Sequence, residues 1–394
     1  MGDFDIDNNL GSDPASDIIQ DIISGARRLK IVCETLEAGL FDEIETFRGP
    51  VSSADVATKC HFSLDVTERL FNTLVCLKLL EKITSTDGDV GYKNSTATTR
   101  YLLCSKRPSM IACCLSEAAM VLPALDNLAA VLKGGTSETI AQQMVKGEQN
   151  NNTKGSDNAN ANPPNTVNTN PPNTANTNPP NTANANPPST MITNNDKQMM
   201  FMLAMEGMAA TCAPAIARAF DLSGNKTAAD LGGASGCIAF ELSRTYPNMC
   251  LTVFELPHVA KLAKKLQPED TRNKVQIVGG DFFKDSLPPA DLYIIAHVIH
   301  NWDIEKTDIL LSKVYRGLPP GGSLLLLEKT LNEDKDGPWP CISMDVVMAM
   351  ISKGRERTPS EYQKLLKKHG FSNTQFKSIE GCNYYDAILA KKPF

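Results

Sequence analysis

Residues 228–236 read Ala-Ala-Asp-Leu-Gly-Gly-Ala-Ser-Gly. Asp230 closes an apolar strand, Gly232 and Gly236 mark a tight turn, and a helix-like run follows from Cys237 to Thr245. Strand, glycine turn and helix in that order form a ligand corner, because backbone without side chains lets a nucleoside come close. A dinucleotide site wants glycines at the first, third and sixth places. Those places hold Gly232, Ala234 and Cys237, so a pyrophosphate fits poorly and a nicotinamide-dependent dehydrogenase is disfavoured.

The next strands extend the corner. Leu251 to Phe254 is apolar and ends at Glu255, and Gln276 to Val278 runs into Gly279-Gly280-Asp281-Phe282-Phe283. Ligands of open α/β sheets bind beyond the carboxyl ends of the strands. There Glu255 can accept from both ribose hydroxyls, Asp281 from an adenine amino group, and Phe282 can pack on the base. Leu292 to Ile295 and Ser323 to Leu327 supply a fourth and fifth strand, with Thr374 to Ile379 and Tyr385 to Ala390 as candidates for the last two. Alternation of strands and helices predicts a doubly wound sheet.

The 394 residues have room for two or three domains, and 42% hydrophobic content allows a sizeable core. A net charge of −6 lacks the basic footprint of a nucleic-acid binder. No apolar stretch is read as approaching 18 residues, and Met1 to Asp17 is polar and acidic, so neither a membrane span nor a signal peptide is expected. The eleven cysteines are scattered and odd in number, which predicts reduced thiols in a cytoplasmic protein. His297 and His300 are the one histidine pair at ligand spacing, without an obvious third ligand nearby, so no metal is expected.

Residues 17–149 read as a mostly helical domain. Ile22, Ile23, Leu29, Val32, Leu36 and Leu40 recur at roughly helical intervals, Ser52 caps a short helix, and Ser63 opens another through Leu80. A hairpin signal follows, with Ser85-Thr86-Asp87-Gly88 between Leu80 to Thr84 and Gly91 to Lys93. Helix, helix and hairpin make a winged-helix pattern. In an acidic chain it reads as a packing and dimerisation module in preference to a DNA reader. Residues 150–196 carry an Asn-Pro-Pro-(Asn/Ser)-Thr unit, with Pro163, Pro171, Pro179 and Pro187 eight residues apart. Such a tract has too little apolar surface to offset its ordering entropy, and the expectation is a disordered insertion. Residues 197–394 form the sheet domain, opening with a methionine-rich helix from Lys197 to Phe220.

Chemistry concentrates after the fourth strand, in Ala296-His297-Val298-Ile299-His300-Asn301-Trp302-Asp303. A histidine there suits a general base, since an ordinary imidazole is neutral at physiological pH and accepts a proton. Glu328 ends the fifth strand, and Glu356 lies in Gly354-Arg355-Glu356-Arg357-Thr358. Carboxylates beside an imidazole orient it and stabilise its protonated form.

These motifs together resemble the caffeate-type, S-adenosylmethionine-dependent O-methyltransferases, and within them the acetylserotonin branch. The resemblance rests on Asp230-Leu231-Gly232-Gly233, Val253 to Pro257, Gly280 to Asp285, His300-Asn301-Trp302, Glu356-Arg357-Thr358 and Tyr385 to Leu389. It implies a Rossmann-like methyltransferase domain preceded by a winged-helix-like dimerisation domain, and a homodimer. It implies His300 as catalytic base, flanked by Glu328 and Glu356. It implies S-adenosylmethionine held by Asp230, Gly232, Gly236, Glu255, Gly280, Asp281 and Phe282, with Trp302 beside the adenine and His297 at a cofactor-contacting position. The implied acceptor is a small phenol or hydroxyindole. Three places depart from the family pattern: Asn301 replaces an aspartate, His297 an arginine, and Ile192 or a neighbour a tyrosine. These departures sustain a second reading, a non-catalytic cofactor-binding or scaffold relative.

Overall fold

The computed structural model describes residues 14–135 and 194–394. The repeat tract and Ile192 lie outside the described residues.

The first helix, Pro14–Glu37, is followed by helices Leu40–Glu45, Ser53–Cys60 and Leu64–Cys76. Ser52 caps the third, accepting from the Asp55 amide, as its side-chain oxygen and position before an apolar run suggest. The fourth stops at Cys76, short of the expected Leu80. Lys78 adopts a left-handed φ of 60° and the Leu79 amide turns back to the Leu74 carbonyl, which frees Leu80 to start a strand. Strands β1 (Leu80–Thr84) and β2 (Val90–Asn94) pair antiparallel from Leu80↔Asn94 to Thr84↔Val90. Leu40, Phe41, Ile44, Val56, Phe71, Leu74 and Tyr92 form the core under this hairpin.

Two helical stretches correct the expectation that no apolar run approaches 18 residues. Ile111–Leu132 and Gln198–Ala217 are each long and apolar enough, by length and composition, to cross a membrane. In the fold they pack on one another. Cys113 Sγ donates to the Ala204 carbonyl at 3.1 Å, and a side chain at Gly207 would run into the Ser109 carbonyl.

The second sheet has seven strands: β3 (Thr227–Leu231), β4 (Cys250–Glu255), β5 (Val275–Gly279), β6 (Leu292–Ala296), β7 (Ser323–Glu328), β8 (Ser372–Ser378) and β9 (Asp386–Lys391). Their order is β5-β4-β3-β6-β7-β9-β8. The first five run parallel, and β9 pairs antiparallel with both β7 and β8. Neighbouring residues of one strand feed opposite cores: Leu325 and Leu327 face one, Leu324 and Leu326 the other. A strand covered on both faces reads as a continuous apolar run, and each of these leucines stabilises the fold by about 2 kcal/mol on burial. Helices Cys237–Thr245, Pro257–Leu266, Ile304–Gly317 and Pro359–Lys368 supply the covering layers. Because β3, β4, β5 and β6 are parallel, Asp230, Glu255, Gly280 and the turn after Ala296 arrive at one edge.

The expectation of reduced thiols is corrected at one pair. Cys212 and Cys382 form a disulfide across 170 residues, and the other nine cysteines are free. Spacing gave no hint of it, because the two ends meet only once the sheet has formed.

Candidate active site

Two clusters meet at the carboxyl edge of the sheet. The first is the glycine corner. Gly232 and Gly236 both take left-handed φ values, +77° and +91°, as the turn after β3 requires. Asp230 is 1% exposed and both its carboxylate oxygens lack a partner. Burial, with the charge of Glu255 in support, pushes its pKa up to about 7. Glu255 receives the Ala234 amide on Oε1 at 3.1 Å and the Leu256 amide on Oε2 at 2.7 Å. Burial also raises the Glu255 carboxyl, with the two amides opposing. The Gly280 amide donates to the Glu255 carbonyl at 2.7 Å and so ties the ends of β4 and β5 together.

Asp281 is the more open acidic group. It accepts from the Phe283 amide and pairs with Lys284 at 3.0 Å, which holds its pKa below the ordinary value. Phe282 and Phe283 pack edge to face at 4.7 Å, and Phe283 packs on Trp302 at 4.9 Å. Lys306 lies over the Trp302 ring at 4.3 Å. Phe282 and Val298 border Gly232, so the aromatic group adjoins the corner.

These residues fit an adenosine-bearing cofactor. A buried carboxylate left without donors suits a ligand rich in N–H and O–H groups, since a permanently unpaired one is costly. The aromatic cluster supplies an apolar wall, and the glycine turn leaves room for close approach.

The second cluster surrounds His300, which sits in a short 3-10 turn, Ile299–Asn301, just beyond β6. Its Nδ1–H donates to Glu356 Oε1 at 2.7 Å, and Glu328 Oε2 lies 3.7 Å away. All three side chains are buried. Glu328 also accepts the Val298 and Ile299 amides on Oε1, at 3.1 and 2.8 Å, and thereby fixes the turn that carries His300. Gly354 presses from the other side. A Cβ there would stand 1.7 Å from the His300 carbonyl, so no other residue allows this contact.

The electrostatics correct one expectation. Burial alone would lower the His300 pKa, but the Glu328 charge and the Glu356 hydrogen bond outweigh it, against opposition from Arg357, and raise it to about 9. Burial and the Glu356 charge bring Glu328 up to about 7, with His300 and the two amides opposing. His300 therefore rests protonated at neutral pH, whereas a lone imidazole would be neutral. The fold groups His300 with two carboxylates and, among the described residues, leaves the histidine pair without a shared third ligand. Donor atoms of His300, Glu328 and Glu356 lie within 4.8 Å of one another, and His297 stands outside that group.

His297 is held apart by its own bonds. It has a left-handed φ of 51°, and its Nε2 lies 2.5 Å from the Tyr384 carbonyl. Its ring tilts against Tyr385 at 4.4 Å and His300 at 4.9 Å. Burial and the neighbouring His300 push its pKa down to about 3, despite the carbonyl, so it is a neutral donor. Asn301 donates from Nδ2 to the His297 carbonyl at 2.9 Å and closes the turn on itself. Sequence reasoning missed Gly354 and the Tyr384 carbonyl. A glycine two residues before Glu356 was the available signal for the first, and the second had none.

Residues 183–372 match the model of the O-methyltransferase domain, and residues 20–103 that of the O-methyltransferase dimerisation domain. The acetylserotonin O-methyltransferase of Homo sapiens is 29% identical over 380 residues, covering 96% of this chain and 99% of the relative. That of Gallus gallus is 38% identical over 200 residues, covering 50% and 57%. The crystal structure of human N-acetylserotonin methyltransferase in complex with SAM superposes with a TM-score of 0.77 at 28% identity, covering 98% of this chain and 100% of that one. The pyocyanin biosynthetic protein PhzM, 19% identical with a TM-score of 0.69 over 96% and 99% of the two chains, shares the fold.

Proposed function

The chain belongs to the O-methyltransferase family with its dimerisation domain, and from that premise we propose that it methylates the hydroxyl of a small phenol or hydroxyindole. The observation that carries the reading is His300 buried between Glu328 and Glu356 beside the glycine corner. Bound S-adenosylmethionine supplies an electrophilic methyl group on a sulfonium sulfur.

The residues that hold the cofactor in this reading are Asp230, Gly232, Gly236, Glu255, Gly280, Asp281 and Phe282, with Trp302 at the base. The wall of Phe282, Phe283 and Trp302 keeps water off that region. His300 takes the hydroxyl proton at Nε2, because Nδ1–H is committed to Glu356. Glu356 and Glu328 stabilise the imidazolium that results, and this is the physical meaning of the raised pKa. Glu328 has the further task of holding the His300 turn by two amide hydrogen bonds. His297 acts through its neighbours, as a neutral ring wedged between Tyr385 and His300.

The active form in this reading is a homodimer built on the N-terminal domain. Ile18, Ile19, Ile22 and Ile23 of the first helix are 57–67% exposed, a stripe that a second copy would cover. The helix–helix–hairpin arrangement acts as a winged-helix-like packing module here. The two long apolar helices belong to protein packing, supported by the close contacts of Cys113 and Gly207 with each other's segments. The cytoplasm is the proposed place of action, with nine of eleven cysteines free in support. Purified protein incubated with S-adenosylmethionine and a panel of hydroxyindoles, catechols and flavonoids tests the reading. Methyl transfer to a ring hydroxyl is expected, and transfer to none of them would count against it.

A further inference from the structure

The disulfide between Cys212 and Cys382 ties a helix to a loop that bears on His300. Cys212 lies in helix Asn194–Ala217, and Cys382 lies between β8 and β9. Both side chains are buried, at 4% and 5% exposure. The Cys382 end is woven into the active-site wall. Its carbonyl accepts Lys329 Nζ at 3.1 Å, next to Glu328, and its Sγ accepts the Tyr385 amide at 3.3 Å. The two following tyrosines hold His297: Tyr384 by its carbonyl, Tyr385 by its ring. His297 in turn rests on His300 at 4.9 Å.

No other disulfide joins the described residues. This bond anchors the short segment from Ile379 to Tyr385 to the helix Asn194–Ala217, which packs in the same core. Without it, Cys382 keeps only hydrogen bonds, from Lys329 and the Tyr385 amide and to the Ile379 carbonyl, and the tyrosines lose their covalent anchor on the N-terminal side. His297 would then be held by a segment free to shift, and active sites lose rate steeply when a group moves by an ångström.

We propose that Cys212 and Cys382 are a reversible thiol–disulfide pair that positions His297 against His300, so that its oxidation state sets the rate of turnover. Oxidation needs a low-molecular-weight disulfide, such as glutathione disulfide. When the segment opens, the Cys382 thiolate attacks that S–S bond, one small thiolate leaves, and a mixed disulfide forms. The Cys212 thiolate then attacks the Cys382 sulfur, closing the protein S–S bond and expelling the second small thiolate. The two cysteine protons end on the two departing thiols, and two electrons pass to the small disulfide. Reduction by excess small thiol reverses each step.

The turnover part rests on the methyl-transfer reading, whereas thiol number and the His297 environment do not. Protein equilibrated in glutathione buffers of different poise is denatured and alkylated, and labelled thiols are counted by mass. Nine are expected at the oxidising end and eleven at the reducing end. In parallel, the His297 ring signal, displaced by the Tyr385 ring, is followed by NMR and should move with the thiol number. Reduction should lower kcat roughly tenfold and leave cofactor affinity little changed. Cys382→Ser should match the reduced protein and ignore redox poise, and Cys76→Ser should behave as the unaltered protein. Eleven labelled thiols at every poise, or a His297 signal and kcat that ignore the change from eleven to nine, would overturn the proposal. If no acceptor is methylated in either state, the thiol count and the His297 signal still decide the pair, and only the methyl-transfer reading fails.

Discussion

Glu356 Oε1 sits 2.7 Å from His300 Nδ1 across 56 residues of chain, with side chains only 2% and 7% exposed. A buried imidazole paired this way has one nitrogen left for chemistry. His300→Gln keeps the volume and removes that nitrogen's basicity. Turnover should fall by roughly 10²-fold or more, the usual span for a lost general base. Cofactor affinity by calorimetry should hold, because Asp230 and Glu255 lie in the other cluster. Near-normal turnover of this variant at neutral pH would show that His300 is not the base.

The raised pKa sets the pH dependence. His300 must give up its proton to act as a base, and it does so at about 9. The rate at low acceptor concentration should therefore climb as pH rises toward 9. Glu356→Gln removes one of the groups that raise the pKa, so the limb should move down toward the ordinary value of 6.5 while the plateau drops. For stability the sign is opposite. A histidine with a raised folded pKa contributes fully below 6.5, and that contribution fades as pH climbs through 9. A rate limb already complete at pH 7 would contradict the electrostatic account.

Asp230 offers a trade between stability and binding. Its folded pKa of about 7 exceeds the ordinary value of 3.8, so the unfolded chain loses its proton first. The cofactor-free protein should therefore lose stability as pH rises from 3.8 to 7. Asp230→Asn removes a buried charge that has no partner. Its melting temperature should exceed that of the unaltered protein by roughly 3–8 °C at pH 8 and hardly at pH 4. S-adenosylmethionine affinity should fall about tenfold or more, the cost of a lost charge-assisted hydrogen bond. Equal melting temperatures at both pH values would mean that Asp230 loses its proton as readily in the fold as in the unfolded chain.

Assembly follows from the first helix. Four exposed isoleucines on one helix are costly to leave in water. Light scattering of the full chain at micromolar concentration should give a dimer, and the double change Ile19→Asp with Ile22→Asp should give a folded monomer. A dimer that survives this change must be built on another surface.

The glycine corner was legible because local rules govern it. The turn after β3 demands left-handed backbone at Gly232 and Gly236, and the apolar runs on either side show where strand and helix begin. The elements of the sheet were read to within two residues for the same reason. What could not be read depends on contacts between distant segments. The identity of His300 is local, but its proton affinity is set by Glu328 and Glu356, which arrive on β7 and on the loop after helix Trp339–Ile351. A lone histidine reads as neutral, and two buried carboxylates reverse that. The helix opened by Ser63 ran too long in the reading because nothing in Leu77-Lys78-Leu79 advertises a left-handed lysine.

The place of β9 has a consequence for how the chain is made. Asp386–Lys391 is threaded between β7 and β8, and Asp386 itself bonds Lys329 and Thr330 just beyond Glu328. A nascent polypeptide that has not yet emerged past residue 391 has a gap in its sheet, with the edge of β7 bare. The wall beside the proton-holding cluster is therefore incomplete until β9 is in place, and a chain without it exposes strand edges that favour aggregation.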